Sequence, residues 1–149
     1  MSYGSETDVA ALSNLWTLNN VFTTATNPKL AQVTLWLADV SDMLDLALGN
    51  NHFTIPVDTG LANYTKIVNL FSNQVVPLVA DLCHAANGSG RFFEERAIKS
   101  GQNSPAGQMK AIERDLNAWV YSYLDGLVAL GLTRTIPEET SVQTYVRVI

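Results

Sequence analysis

Cysteine is almost absent. The 149-residue chain holds only Cys83, so no intrachain disulfide can form. Its place inside an apolar helical pattern reads as a small buried hydrophobe, in a chain made in a reducing compartment. Histidine is nearly as scarce, with His52 and His84 alone. A metal site on a helix needs a second ligand beside His84. Asp81 stands three positions before it, but that pair is common by chance, and no second copy exists to build a site between helices. No metal and no cofactor is expected. Charge is thin as well: 15% of residues are charged, and nine Lys and Arg against 14 Asp and Glu leave a net −5 with pI ≈ 4.8. The basic residues form no run, which argues against a protein wrapped on a phosphate backbone. No apolar run reaches the ~18 residues of a membrane span, and the N-terminus lacks the basic and apolar regions of a signal peptide. There are no internal repeats and no low-complexity tracts. A soluble protein is expected.

What is present is apolar: 47% of the residues are hydrophobic. At this length they can form one domain with a substantial core. A surface short of charge is often a shared surface. The organising stretch runs from Asn27 to Gly49. Asn27 reads as a helix cap with Pro28 at the first helical position, and Gly49 as the left-handed residue past the end. Between them Val33, Leu37, Val40, Leu44 and Ala47 recur at spacings of four and three, an apolar seam at helical period, flanked by Trp36 and Leu48. Asp39, Asp42 and Asp45 fall on the other side. Leu35 and Leu46 lie among them, almost opposite the seam. A second, smaller stripe predicts a second packing partner, from this chain or from another copy of it.

The rest of the chain follows the same grammar. The first five residues read as loose. Ser5 and Asp8 form a capping-box pattern before a short helix over 6–16, with Val9, Leu12 and Trp16 on one face. A loop over 17–26 leads into the organising helix at 28–48. Pro56 and Gly60 mark a turn-rich connection. A helix over 60–86, capped by Asp58 or Thr59, carries the seam Leu61, Tyr64, Val68, Phe71, Val75, Val79 and Leu82, with Pro77 on its polar side, where it frees the Asn73 carbonyl. Ser104 and Pro105 open a third long helix over 105–130. Its seam is Met109, Ile112, Leu116, Trp119, Val120, Tyr123, Leu127 and Leu130; Lys110, Arg114, Tyr121 and Asp125 face away, and Gly131 closes it. The tail alternates: Val142, Thr144, Val146 and Val148 on one side, Gln143, Tyr145 and Arg147 on the other, ending at Ile149. That is a strand pattern whose only internal mate is a short piece near Phe53–Ile55, so pairing with another subunit or protein is its natural use. The fold expected is all-α: a bundle of three long helices plus a short N-terminal helix over residues 1–136, with an extended C-terminal β-arm over 137–149.

Catalytic sets are hard to assemble. The three aspartates line an exposed helix face where nothing desolvates them, so a solvated acidic face is the plain reading. The segment Asn87-Gly88-Ser89-Gly90 is glycine-rich but has neither the strand nor the lysine of a phosphate loop. Cys83 and His84 are helix neighbours that point about 100° apart. Trp16, Trp36 and Trp119 lie on seams and read as core. The chain reads as one that assembles and not as an enzyme.

The order of pieces resembles a known family. Asp8-Val9-Ala10-Ala11-Leu12 in a short opening helix precedes a long helix with Trp36-Leu37-Ala38-Asp39-Val40-Ser41-Asp42-Met43-Leu44-Asp45. Leu48-Gly49 with a Phe53 and Pro56 turn follows, then a helix with Val76-Pro77-Leu78-Val79-Ala80-Asp81-Leu82. Over residues 7–90 this is similar to the head-to-tail adaptor, or connector, proteins of tailed bacteriophages. The segment from Arg91 to Leu132 departs from the shortest members, which lack so long a last helix. The resemblance implies a structural virion protein, made in the host cytoplasm and located in the phage neck. It would form a homo-oligomeric ring, typically dodecameric, between the portal protein and the next tail or neck protein, and extend the channel through which DNA passes without specific binding. It implies a terminal arm that grips the portal, for which the candidates are Val142, Tyr145, Val146, Arg147, Val148 and Ile149. Leu35 and Leu46 are the candidate subunit interface, and Asp39, Asp42 and Asp45 a channel-facing or solvated acidic face. An acidic wall suits a conduit, because it keeps phosphate sliding. A second resemblance is to the helical coat proteins of rod-shaped plant RNA viruses. It rests on Ala47-Leu48-Gly49-Asn50, Pro77-Leu78-Val79, Arg91-Phe92-Phe93-Glu94 and Asn103-Ser104-Pro105-Ala106. The chain lacks the β-segment between their middle helices and their closing Arg–Phe–Glu pattern. A third alternative is an unrelated helical bundle, such as a regulator or a small enzyme.

Overall fold

The computed structural model describes residues 1–87 and 105–137. Helix α1 spans Glu6–Leu12 and is followed by a 3-10 turn, Asn14–Trp16; α2 spans Leu30–Asn50, α3 Tyr64–Ala86, α4 Pro105–Ser122 and α5 Leu124–Ala129. Among the described residues the chain is mostly helical and has no strand, only two isolated bridges, Leu18 with Val21 and Phe53 with Arg134. The arm positions Val142, Tyr145, Val146, Arg147, Val148 and Ile149 lie outside the described residues, as does the segment 88–104.

Helix α2 packs against α3 and α4, and α1 crosses α3 and α2. The predicted seam of α2 is the core: Val33, Val40, Leu44 and Leu48 have no exposed surface, and Leu37, Ala47 and Trp36 are buried with them. Complete burial of each large aliphatic contributes about 1.5–3 kcal/mol, and α2 meets α1, α3 and α4 across this seam. From α3 come Ile67, Phe71, Val75, Val79, Leu82 and Cys83; from α4, Ile112, Leu116 and Val120. Leu61, Tyr64 and Val68 of the predicted α3 seam are only half-buried against this core.

Several boundaries differ from the sequence reading. The Ser5–Asp8 capping box is present, but α1 stops at Leu12 and tightens into the 3-10 turn, leaving Leu12 exposed. Helix α2 begins at Leu30 and has no side-chain cap. The Asn27-Pro28 peptide is cis and precedes the helix. Asn27 is used elsewhere, exchanging two hydrogen bonds with the Asn87 side chain at 3.1 and 2.8 Å. The first turn of α2 is instead closed by a loop carbonyl, Thr23 O accepting from Leu30 N–H at 3.0 Å.

At the other end of α2, Gly49 is helical. The left-handed position is His52, with φ 68°. His52 N–H donates to Gly49 O at 2.9 Å and Phe53 N–H to Leu48 O at 3.0 Å. That pair of bonds is a Schellman motif, with both Leu48 and Phe53 buried. The same motif closes α5, as predicted, on Gly131 at φ 105°: Gly131 N–H donates to Val128 O and Leu132 N–H to Leu127 O. Helix α3 starts at Tyr64 with Asn63 as its boundary residue, and neither Asp58 nor Thr59 caps it.

The single long helix predicted over 105–130 is two helices, interrupted at Tyr123. Ser122 Oγ donates back to Ala118 O at 2.9 Å. Such a back-bond perturbs the helical ladder only slightly, and Thr34 and Ser72 make the same bond within unbroken helices. Tyr123 is exposed and not in the seam.

The N-terminus is not loose. Tyr3 is buried, its N–H donating to Ser41 Oγ at 2.9 Å and its ring meeting Phe71 edge-on at 5.2 Å. Gly4 allows this docking: its φ is 94°, and a Cβ there would collide with Val76 Cγ2. The short piece near Phe53–Ile55 does find an extended mate, in residues just before the tail. Thr54 N–H donates to Thr133 O and Thr135 N–H to His52 O, both at 2.9 Å, and Arg134 Nε donates to Asn51 O at 2.8 Å.

Candidate functional site

The outward face of α2 is the surface that the core does not explain. Leu35, Asp39, Asp42 and Leu46 follow one another at spacings of four, three and four, so they form one row along the helix. The seam on the opposite side is fully buried. Leu35 and Leu46 are 52% and 59% exposed, Asp42 is exposed and Asp39 half-buried. No basic residue occurs between Leu30 and Asn50. At the start of the same helix Thr34 Oγ1 donates to Glu6 Oε1 at 2.7 Å and ties α1 to α2.

Asp45 departs from the solvated reading. It is half-buried, and its Oδ1 accepts from the Tyr3 hydroxyl at 2.6 Å. Burial raises the carboxyl above its ordinary value, while the Tyr3 hydrogen bond pulls the other way. The Tyr3 hydroxyl is pushed far up, first by burial and then by the Asp45 carboxylate. Asp45 therefore serves to hold the N-terminal segment to α2. The acidic row proper is Asp39 and Asp42.

The other titratable groups are also occupied structurally. Cys83 is buried, and burial pushes its thiol up to about 11, the opposite of an activated nucleophile. His84 is more than a polar residue on a helix face. It is half-buried, and its Nδ1 accepts from Trp16 Nε1 at 2.7 Å. That bond and the Asn27–Asn87 pair fasten both ends of the 17–26 loop to the last turn of α3. Sequence reasoning had no signal for it, because neither residue breaks a helical pattern. His52 sits just after α2, in the left-handed position of its closing turn. Trp36 is core, and Trp16 and Trp119 are half-buried against it.

Two open grooves flank the polar ridge of α3. One, of about 640 Å³, is lined by Lys66, Asn69, Asn73 and Leu130 among others; the second, of about 440 Å³, by Asp8, Ser72, Asn73 and Pro77 among others. Pro77 is exposed, as predicted, and offers no amide to the Asn73 carbonyl. The polar atoms here are amides, hydroxyls and one ammonium. Asp8, the one carboxylate, already binds Ser5. Among the described residues, no two titratable groups converge in either groove. Among the described residues no cluster of three or more His, Cys, Asp or Glu is placed to hold a metal ion, and no helix is long and apolar enough to cross a membrane.

No known protein family, no curated protein and no solved structure matches this chain.

Proposed function

We propose that this chain is a structural subunit of a tailed-phage neck. In this reading it is a head-to-tail adaptor whose copies close into a ring beneath the portal protein and extend the DNA channel toward the next neck or tail protein. The observation that carries the reading is the outward row of α2. A helix whose seam is already fully buried presents two leucines, more than half exposed, on its opposite face. Exposed large aliphatics set among carboxylates suit a contact made after folding, not a second core. The alternating run at Thr140–Ile149 supplies the arm: its sequence pattern suits addition to a partner's sheet edge, with Val142, Val146 and Val148 on one side. The acidic balance suits a passage that must not retain phosphate.

Negative-stain images of the purified full chain test the reading. Closed rings support it. Stacked discs or rods that bind RNA in a salt-dependent manner would support the coat-protein alternative instead, and featureless monomers at high concentration would contradict both. Deleting Thr140–Ile149 tests the arm separately: rings should still form, but docking to the portal should be lost.

A further inference from the structure

We infer that the acidic row of α2 docks onto the outward row of α4 on a second copy of this chain. The inference rests on the reading of the chain as a self-assembling subunit, and it names the two faces that meet. The α4 row is Lys110, Arg114, Asn117 and Tyr121, again spaced four, three and four. Lys110 and Arg114 are exposed, and Tyr121 is 73% exposed. Among the described residues, Arg114 makes an exposed ion pair with its own neighbour Asp115, 3.6 Å away, and such a pair holds it weakly. Among the described residues, α4 is the only helix that carries two Lys or Arg side chains.

The two rows are complementary in charge and equal in length, about 16 Å from first to last residue. Because the spacing reads the same in both directions, either alignment of the helices brings an aspartate to Arg114 and a leucine to Tyr121. The remaining leucine lies along the Lys110 methylenes. Pairing of α2 with α2 is disfavoured, because it would set Asp39 and Asp42 of both copies against each other. Within one chain α2 and α4 pack together through their seams, so their outward rows point away from the shared core in different directions. Contact between two unlike faces is head-to-tail, and repeating it generates a ring when the rotation closes.

Two double variants test this by sedimentation velocity. Asp39→Lys with Asp42→Lys makes both rows of one protein basic. Lys110→Asp with Arg114→Asp makes both rows of the other acidic. Each alone should sediment as a monomer under conditions where the wild type assembles. Mixed in equal amounts they should assemble again, because every α2 row then finds an α4 row of opposite charge. If either variant assembles alone like the wild type, or the mixture stays monomeric, the paired rows are wrong while the ring reading stands. A wild type that is itself monomeric removes both. Should circular dichroism show that the lysine variant has lost helix, Asp39→Asn with Asp42→Asn must still weaken assembly at least tenfold. Unchanged assembly in that neutral variant also overturns the proposal.

Discussion

Trp16 and His84, 68 positions apart, share a 2.7 Å hydrogen bond in which the indole N–H is the donor and His84 Nδ1 the acceptor. An accepting Nδ1 requires a neutral ring with its proton on Nε2. The bond ties the 3-10 turn after α1 to the last turn of α3. His84→Leu leaves the half-buried indole N–H without its partner and should cost about 1–2 kcal/mol. His84→Asn keeps an acceptor near the Nδ1 position and should recover part of that loss. Urea unfolding of the two variants measures the difference, and the indole N–H resonance of Trp16 should shift in His84→Leu.

Two left-handed positions give opposite predictions. At Gly4 the backbone needs a positive φ and Val76 leaves no room for a Cβ. Gly4→Ala should therefore destabilise by at least about 1 kcal/mol and release Tyr3 from its pocket. At His52 a residue with a Cβ holds φ 68° in the Schellman position. His52→Gly removes that strain and should stabilise by about 0.5–1 kcal/mol. Thermal unfolding of both variants checks the pair.

The two faces of α2 were legible in the sequence. Periodicity fixes which residues share a face, so the seam from Val33 to Ala47 is buried and Leu35 and Leu46 are exposed, as read. Periodicity says nothing about side chains that reach across the fold. Tyr3–Asp45, Trp16–His84 and Asn27–Asn87 leave no local trace, and for that reason the local pattern alone gives a loose N-terminus and a solvated Asp45. Local signals also compete. Asn27-Pro28 and Gly49 have the composition of helix ends, but the Thr23 carbonyl and His52 take those roles, because the chain on either side is held by tertiary bonds. The seam of the third long helix continues past Tyr123 in sequence, so the break there leaves no mark in the apolar pattern.

Substitutions on the two faces of α2 should separate folding from assembly. Val40→Asp places a carboxylate in a site with no exposed surface and should cost more than about 3 kcal/mol, unfolding the chain. Leu35→Asp and Leu46→Asp lie on the exposed face and should change monomer stability by less than about 0.5 kcal/mol while lowering the oligomer fraction. Circular dichroism and size-exclusion chromatography read the two effects. If both leucine variants unfold, the outward row is core.

Asp45 makes stability depend on pH in a defined direction. Its folded-state carboxyl is raised, chiefly by burial. A raised group stabilises the fold fully below the ordinary carboxylate value near 4, and that contribution is lost as pH rises through the folded value. Asp45→Asn keeps an acceptor for the Tyr3 hydroxyl and removes the titration. The variant should be at least as stable as wild type at neutral pH, and its advantage should disappear as pH falls into the carboxylate range. Urea midpoints measured from acid to neutral pH test this; a wild type that gains nothing relative to Asp45→Asn on acidification would contradict it.

In the proposed function, copies of this chain close into a ring. The most direct test is the mass of the purified full-length protein in native mass spectrometry across a range of concentrations. A closed ring should give one discrete species at a fixed whole multiple of 16.3 kDa, unchanged in size once formed. A 16.3 kDa monomer at every concentration, or an open ladder of masses that lengthens with concentration, would contradict it.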